Sequence, residues 1–194
     1  LNMFTDISSM KIFNSSNNML TFMIGNTIIY DTPIINNTWN HILWNVKNTE
    51  DYVPNKDVGY IRINNGPEYY YDKVNLSSGS YSNVIGHPAN VGSIKVSDFR
   101  ILISNVNSNV EDALYDPVLY YQKYHTSNAY AYYRFASDSL LNTDSTVNNR
   151  TLANYGGVYR INDSNCMLLE TGSNAVLNVE WNPFNNMSLS TWFK

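Results

Sequence analysis

The sequence predicts an all-β protein: a two-sheet antiparallel β-sandwich with at most one short helix near residues 111–124. Three observations support this prediction. Apolar and polar residues alternate with a period of two in many short runs, the pattern of strands with one buried face. Clusters of Asn, Gly, Ser and Pro separate these runs, as turns do. The sequence has no long amphipathic helix pattern, which disfavours folds that alternate strands with helices.

The first part of the chain contains about half of the predicted strands. They cover residues 10–13, 19–24, 27–30, 39–46, 59–63, 83–86 and 92–104. The Gly25-Asn26 pair between two of these runs is a two-residue hairpin signal. Within residues 39–46, alternation places His41 and Leu43 on one face and Ile42 and Trp44 on the other.

The later part of the chain continues the pattern after the predicted helix, which Pro117 limits to short pieces. A linker is expected at residues 122–128. Beyond it, strands are predicted at residues 129–135, 151–159, 166–169, 175–179 and 187–193, with a long polar loop at 136–150. The expected division of the chain is therefore 1–121, linker 122–128, and 129–194.

Composition narrows the possible functions. The formal net charge of −4 and the lack of any Lys/Arg run argue against nucleic acid as a partner. Hydrophobic residues make up 43%, enough for a two-layer core, and roughly one residue in six is Asn. The single cysteine, Cys166, permits no intrachain disulfide, and no apolar stretch is long enough to span a membrane.

Short motifs resemble the laminin-G-like, concanavalin-A-like jelly-roll family. The later part carries YYRF at 132–135, DSL at 138–140, residues 144–149, GSNAVL at 172–177 and MSLSTWF at 187–193. The earlier part carries WNHI at 39–42, IRINNG at 61–66, VIG at 84–86 and DFRI at 98–101. The resemblance implies a jelly-roll sandwich, and it covers most of the chain.

The resemblance also implies that the two parts stand in reversed order. Residues 129–194 resemble the first strands of the family's domain, and residues 1–121 resemble its last strands. We therefore expect a circular permutant or a phase-shifted unit of a tandem-repeat surface or fibre protein. Residues 187–193 would then pair with the region of residues 4–24, in the same chain or in a neighbouring copy. Neighbouring copies of the repeat are the expected partners.

Catalytic residues are not expected. Glycosidases place two carboxyl groups about 5 to 5.5 Å apart on either side of the scissile bond. Glu50-Asp51 and Glu111-Asp112 are adjacent pairs, whose side chains would point to opposite faces of a strand. His41 is interpreted as a buried, hydrogen-bonded core residue.

A glycan site is the first candidate for binding. Tyr69, Tyr71 and Asp72 lie in a run of three tyrosines and an aspartate, and on a strand the outer two tyrosines share one face. Aromatic rings beside polar groups form binding surfaces for small ligands. The alternative is that the tyrosines are cross-strand packing pairs.

Calcium is the candidate cofactor. Asp144 and Asn148 offer a carboxylate and an amide oxygen at i and i+4 of a loop, and Asp138 lies nearby in sequence. Oxygen ligands of this kind suit a hard cation. The resemblance implies calcium as well, since laminin-G-like domains bind it through loop oxygens. The alternative is that these residues cap turns.

These expectations together predict a non-catalytic structural or adhesion repeat of an extracellular, cell-surface or virion fibre that also binds glycans. The rival interpretation is a carbohydrate-binding module attached to a carbohydrate-active enzyme. It differs in requiring a fixed sugar cleft with aromatic side chains.

Overall fold

The computed structural model describes residues 10–15, 19–24, 27–34, 37–46, 59–71, 79–86, 92–102, 108–124, 129–138, 141–161, 165–181 and 187–194. The earlier strands are β1 (Met10–Ser15), β2 (Met19–Ile24), β3 (Thr27–Pro33), β4 (Asn40–Val46), β5 (Gly59–Ile63), β6 (Tyr69–Tyr71), β7 (Gly79–Gly86) and β8 (Ile94–Leu102). The helices are α1 (Ser108–Tyr115) and α2 (Pro117–Tyr124). The later strands are β9 (Ala129–Tyr133), β10 (Ala153–Tyr155), β11 (Val158–Ile161), β12 (Cys166–Leu169), β13 (Asn174–Trp181) and β14 (Met187–Phe193).

An eight-stranded antiparallel sheet forms the middle of the molecule. Its order is β11-β12-β8-β14-β4-β5-β6, and β9 pairs with β8 beside this path. One edge of β8 pairs with β14. The other edge is shared: its first half pairs with β12 and its second half with β9. The mostly β, antiparallel architecture predicted from alternation is confirmed.

The strands of residues 129–194 are interleaved with those of the earlier part. β14 lies between β4 and β8, and β13 pairs along its whole length with β7. The partners of β14 are thus not the strands of residues 10–24, the described part of the region we considered for it. That region forms a separate sheet, β1-β2-β3. The large sheet is therefore built from both parts of one chain.

Two three-stranded sheets pack on one face of the large sheet. They are β1-β2-β3 and β10-β13-β7. The core between the layers combines Phe22 of β2, Leu177 of β13, and Ile42 and Trp44 of β4. Phe22 meets Trp44 edge to face, with ring centroids 5.3 Å apart. This packing of sheet on sheet is a sandwich-like arrangement, and burial of its aromatic and aliphatic side chains is the main stabilising term.

The helix pair covers the opposite face of the large sheet. Leu114 of α1 and Tyr120 of α2 pack there against Leu43 of β4 and Leu102 of β8 in a second, smaller core. The alternation predicted for β4 is confirmed, because Ile42 and Trp44 lie in the sandwich core and Leu43 lies under the helices. Both faces of β4 are therefore buried.

The expectation of at most one helix near 111–124 is wrong, since two short helices occupy residues 108–124. Asp116 separates them: its Oδ1 accepts hydrogen bonds from the backbone N–H groups of Val118 and Leu119 at 3.0 and 3.1 Å. This is an N-cap, and Pro117 then takes the first helical position, where its missing N–H costs nothing. Residues 122–124 of the expected linker form the last turn of α2, and residues 125–128 lie outside the described residues.

Neither described helix has the length or the apolar run that a membrane crossing requires.

Candidate functional site

A group of polar side chains lies between the large sheet and the helix pair. We call it the buried polar cluster; its members are His41, Asp98, Arg100, Tyr132 and Ser190. They come from β4, β8, β9 and β14, which are neighbours in the sheet. Arg100 and Ser190 are fully buried, and His41 is 2% exposed. Polar groups this deep must find partners, because leaving them unpaired is costly.

Arg100 is the centre of the cluster. Its Nη1 donates a 2.9 Å hydrogen bond to the Leu114 carbonyl at the end of α1 and a 3.3 Å bond to Ser190 Oγ. Its Nη2 lies 3.2 Å from Asp98 Oδ1 in an ion pair. The guanidinium also lies over the rings of Tyr120 and Tyr132, at 4.6 and 4.8 Å from their centroids. Arg100 therefore ties the sheet to both helices.

Asp98 holds the cluster's carboxylate in an unusual backbone position. Its φ is 49°, in the left-handed region that few residues other than glycine adopt. Its side chain accepts hydrogen bonds from the Tyr132 hydroxyl at 2.6 Å and from Ser97 Oγ at 3.1 Å. These bonds, with the Arg100 ion pair, compensate for the backbone strain.

His41 is kept neutral by its surroundings. Burial, followed by the positive charges of Arg100 and Arg62, lowers the pKa of His41 from 6.5 to about 3. Its Nε2 lies 2.9 Å from Ser190 Oγ. Because that oxygen already accepts a bond from Arg100, we assign the Ser190 hydroxyl as the donor to a neutral imidazole. The ring packs between Tyr115 of α1 and Trp192 of β14.

Ser190 and His41 lie as close together as a nucleophile and its general base do in an enzyme, but they lack the other properties of such a pair. A general base works best with a pKa near the operating pH, and that of His41 is about 3. Ser190 Oγ belongs to a fully buried residue beneath the helices. The prediction that His41 is a buried, hydrogen-bonded residue is confirmed. The pair joins β4 to β14 beneath the helices.

The same interface contains buried polar atoms with no hydrogen-bond partner among the described residues. They are Asn45 Oδ1, Arg100 Nε and Trp192 Nε1. The three residues are on β4, β8 and β14, three of the four strands that carry the cluster. Each unpaired buried group costs roughly 1 to 3 kcal/mol relative to water. The three unpaired atoms thus weaken the contact between the large sheet and the helices.

The predicted glycan-binding residues differ in their exposure to solvent. Tyr71 is buried: its hydroxyl donates to the Asn45 carbonyl at 2.8 Å and accepts from Trp44 Nε1 at 2.9 Å. Tyr69 is 41% exposed and stacks on Tyr30, with centroids 4.1 Å apart. Asp72 lies outside the described residues.

Tyr70, between the predicted pair, is 56% exposed on the other face of this edge strand. Its hydroxyl donates to Glu68, a bond that raises the pKa of Tyr70. Nearby, Arg62 donates to Asn65 Oδ1 and to the Gly66 carbonyl. We call Arg62, Asn65, Glu68, Tyr69 and Tyr70 the aromatic edge. It combines ring surface with positioned polar groups.

The predicted metal residues make hydrogen bonds and ion pairs with other parts of the chain. The carboxylate of Asp144 is buried and accepts hydrogen bonds from the backbone N–H groups of Tyr132, Thr146 and Arg150 and from Thr146 Oγ1. Four bonds occupy the four lone-pair positions of a carboxylate. Among the described residues no group of three or more His, Cys, Asp or Glu side chains could hold a metal ion.

The other two predicted ligands also take part in contacts within the chain. Asn148 donates from Nδ2 to the carbonyls of Ala129 and Tyr130, at 3.3 and 3.0 Å. Asp138 is exposed and lies 3.6 Å from Arg160 Nη1. Calcium binding by Asp138, Asp144 and Asn148 stays a prediction.

Sequence reasoning missed the roles of Arg100, Ser190 and Tyr132. A signal was present in β14, where small polar residues alternate with apolar ones in MSLSTWF. In the middle strand of a sheet covered on both faces, small hydroxyls leave room for larger polar side chains from the neighbouring strands. The pattern can be interpreted in this way only once β14 is known to lie in the middle of the sheet.

Comparisons of the chain with models of protein families, with curated proteins and with solved structures find no match. The resemblance to the laminin-G-like family therefore rests on the motifs in the sequence.

Proposed function

We infer that this chain is a non-catalytic binding and assembly domain with a laminin-G-like, concanavalin-A-like jelly-roll sandwich, acting in a surface or fibre protein. The observation that carries this proposal is the interleaving of β14 between β4 and β8. It makes the two parts of the chain one mechanical unit, because neither part can form the large sheet alone. A unit of this kind suits a load-bearing or adhesive role.

The burial of the Ser/His pair supports a non-catalytic role. Ser190 is fully buried and His41 is 2% exposed, so a substrate cannot reach either without lifting the helices. The low pKa of His41 leaves it a weak base. The polar groups that most resemble catalytic machinery are used for internal packing.

The aromatic edge supports glycans as the adhesive ligand. Tyr69 and Tyr70 are exposed rings on the two faces of β6, and Glu68 and Arg62 offer charged hydrogen-bonding groups beside Tyr70. Sugars present apolar C–H faces and hydroxyl groups together, and a ring flanked by polar side chains complements both. The same observation favours the second candidate, a carbohydrate-binding module.

A glycan array tests the adhesive function. We expect the wild-type chain to retain a defined set of glycans, and Tyr69→Ala and Tyr70→Ala to lose most of that signal. Tyr155→Ala is the matched control, because Tyr155 is a similarly exposed tyrosine (57%) on β10. A wild-type chain that retains no glycan, or equal losses in all three variants, would contradict glycan binding at this edge.

Assembly is tested separately. We expect the molar mass in solution, measured by light scattering, to rise with protein concentration if copies of the domain associate. A mass that stays at the 22.2 kDa of one chain over the whole range would contradict self-assembly of this unit.

A further inference from the structure

The helix pair α1–α2 is attached to the sheet through a polar interface. Arg100 bonds the Leu114 carbonyl at the end of α1, and His41 packs edge to face against Tyr115, with centroids 5.5 Å apart. The apolar contact around these groups is small, and it includes Leu43, Leu102 and Tyr120. By contrast, the sandwich core on the other face is much larger. The helices are therefore held less firmly than the two sheet layers.

Unpaired polar atoms lower the cost of lifting the helices. Asn45 Oδ1, Arg100 Nε and Trp192 Nε1 have no partner among the described residues, and each would gain hydrogen bonds to water on exposure. Local opening proceeds in contiguous units, beginning with those held by the smaller apolar core. The helix pair is such a unit.

We propose that acidification releases α1–α2 from the large sheet, with His41 as the group whose protonation favours the released form. In the closed form His41 is enclosed by Tyr115 of α1, Trp192 and Ser190 of β14. A proton on this ring would place a second cation beside Arg100. Release exposes the ring to water, where the charge is accommodated.

The charges around His41 determine whether its protonation favours the closed or the released form. Arg100 on β8 and Arg62 on β5 are the cations that act on it, and both oppose protonation. The carboxylate of the cluster, Asp98, is already bound by Arg100 and by the Tyr132 hydroxyl. Two phenols also face the site among the described side chains, those of Tyr115 on α1 and Tyr120 on α2, and burial raises the pKa of Tyr120.

The size of the effect follows from proton linkage. The pKa of His41 is about 3 in the closed form, and an exposed histidine has a pKa of about 6.5. Between about pH 7.5 and about pH 5, the ratio of open to closed molecules should rise about 30-fold. Strands β4, β8 and β14 should stay better protected than the helices at both pH values, because their sandwich face stays packed when the helices lift.

Amide hydrogen exchange of the whole chain tests the proposal. Exchange is measured at about pH 7.5 and about pH 5, each rate divided by the intrinsic rate at that pH. We expect protection of α1 and α2 to be lower than that of β4, β8 and β14 at both pH values, and to fall about 30-fold at the lower pH. In His41→Gln the fall should vanish, because glutamine does not titrate. His125→Gln is the matched control and should keep the fall.

Three results would overturn the proposal. The first is wild-type helix protection that does not change with pH, which needs no variant. The second is a fall of the same size in His41→Gln or, should that chain not fold, in His41→Leu. The third is protection of α1 and α2 equal to that of β4, β8 and β14 at both pH values, which would show that the helices open only with global unfolding.

Discussion

The Tyr132 hydroxyl donates a 2.6 Å hydrogen bond to Asp98 Oδ1 and so links β9 to the point where β8 carries one extra residue. Ser190 lies opposite Arg100 and Trp192 lies opposite Ser97, so three steps on β8 match two on β14. This is a β-bulge.

The bulge changes which residues of β8 face the sandwich core. Val96 and Phe99 both lie in that core although they are three residues apart, a spacing that a regular strand would put on opposite faces. The same shift turns Arg100 towards the helices. The buried polar cluster therefore depends on the backbone of Asp98.

The first prediction separates backbone strain at Asp98 from its hydrogen bonds. Asp98→Ala should lower the free energy of unfolding by about 3 kcal/mol, because Arg100 loses its carboxylate. Asp98→Gly loses the same bonds but tolerates a φ of 49°, so it should be about 1 kcal/mol less destabilising. Urea unfolding measures both. An alanine variant as stable as the glycine variant would contradict strain at this position.

The second prediction concerns the contact between Gly59 and Tyr71. A Cβ at Gly59 would lie 2.2 Å from the Tyr71 hydroxyl and 2.7 Å from the Asn45 carbonyl oxygen. Gly59→Ala should therefore displace the tyrosine, break its bond to Trp44 and destabilise by about 3 kcal/mol in urea unfolding.

A double-mutant cycle is the control for that prediction. In a Tyr71→Val background the cost of Gly59→Ala should be smaller, since the ring is gone, but not zero, because the Asn45 carbonyl remains. Strictly additive effects would mean that the glycine and the tyrosine do not interact.

The third prediction is the pH dependence of global stability. The pKa of His41 is depressed in the folded chain, so the unfolded chain binds the proton more readily below about pH 6.5. Stability should therefore be unaffected by this group above that pH and decline as the pH falls towards about 3. Relative to His41→Gln, the wild type should lose up to about 3 kcal/mol at about pH 4.

Urea unfolding of both proteins over the acid range provides the measurement. Carboxylates titrate in both chains, so the difference between them isolates His41. Two parallel curves would show that His41 is not held neutral by the fold.

Local patterns in the sequence predict much of this fold. Alternation in β4 correctly assigns Ile42 and Trp44 to one face and Leu43 to the other, because a strand has a fixed period of two. The sheet order cannot be obtained this way. That β14 lies between β4 and β8 depends on contacts between residues far apart in the chain, such as Arg100 and Ser190, which are ninety positions apart.

The candidate sites likewise depend on long-range contacts that local sequence patterns do not predict. Alternation places Tyr69 and Tyr71 on one face of the strand. It does not predict that Tyr71 alone is buried, in the space left by the missing side chain of Gly59. Nor does it predict the burial of Arg100, which requires the Asp98 bulge and the Leu114 carbonyl. Both depend on residues that are distant in sequence or on an irregular backbone.

The last prediction concerns Asp144, whose carboxylate joins the loop of residues 141–150 to β9 through Tyr132 N at 2.8 Å. Asp144→Ala should lower the free energy of unfolding by about 3 kcal/mol, because four hydrogen bonds are lost in a buried place. Asp144→Asn keeps one acceptor oxygen and should cost about half as much. The unfolding curves are measured with added calcium chloride and again with a chelator. We expect the same loss in both, since the bonds are internal to the chain; a loss seen only with calcium would contradict this account and identify a metal site at Asp144.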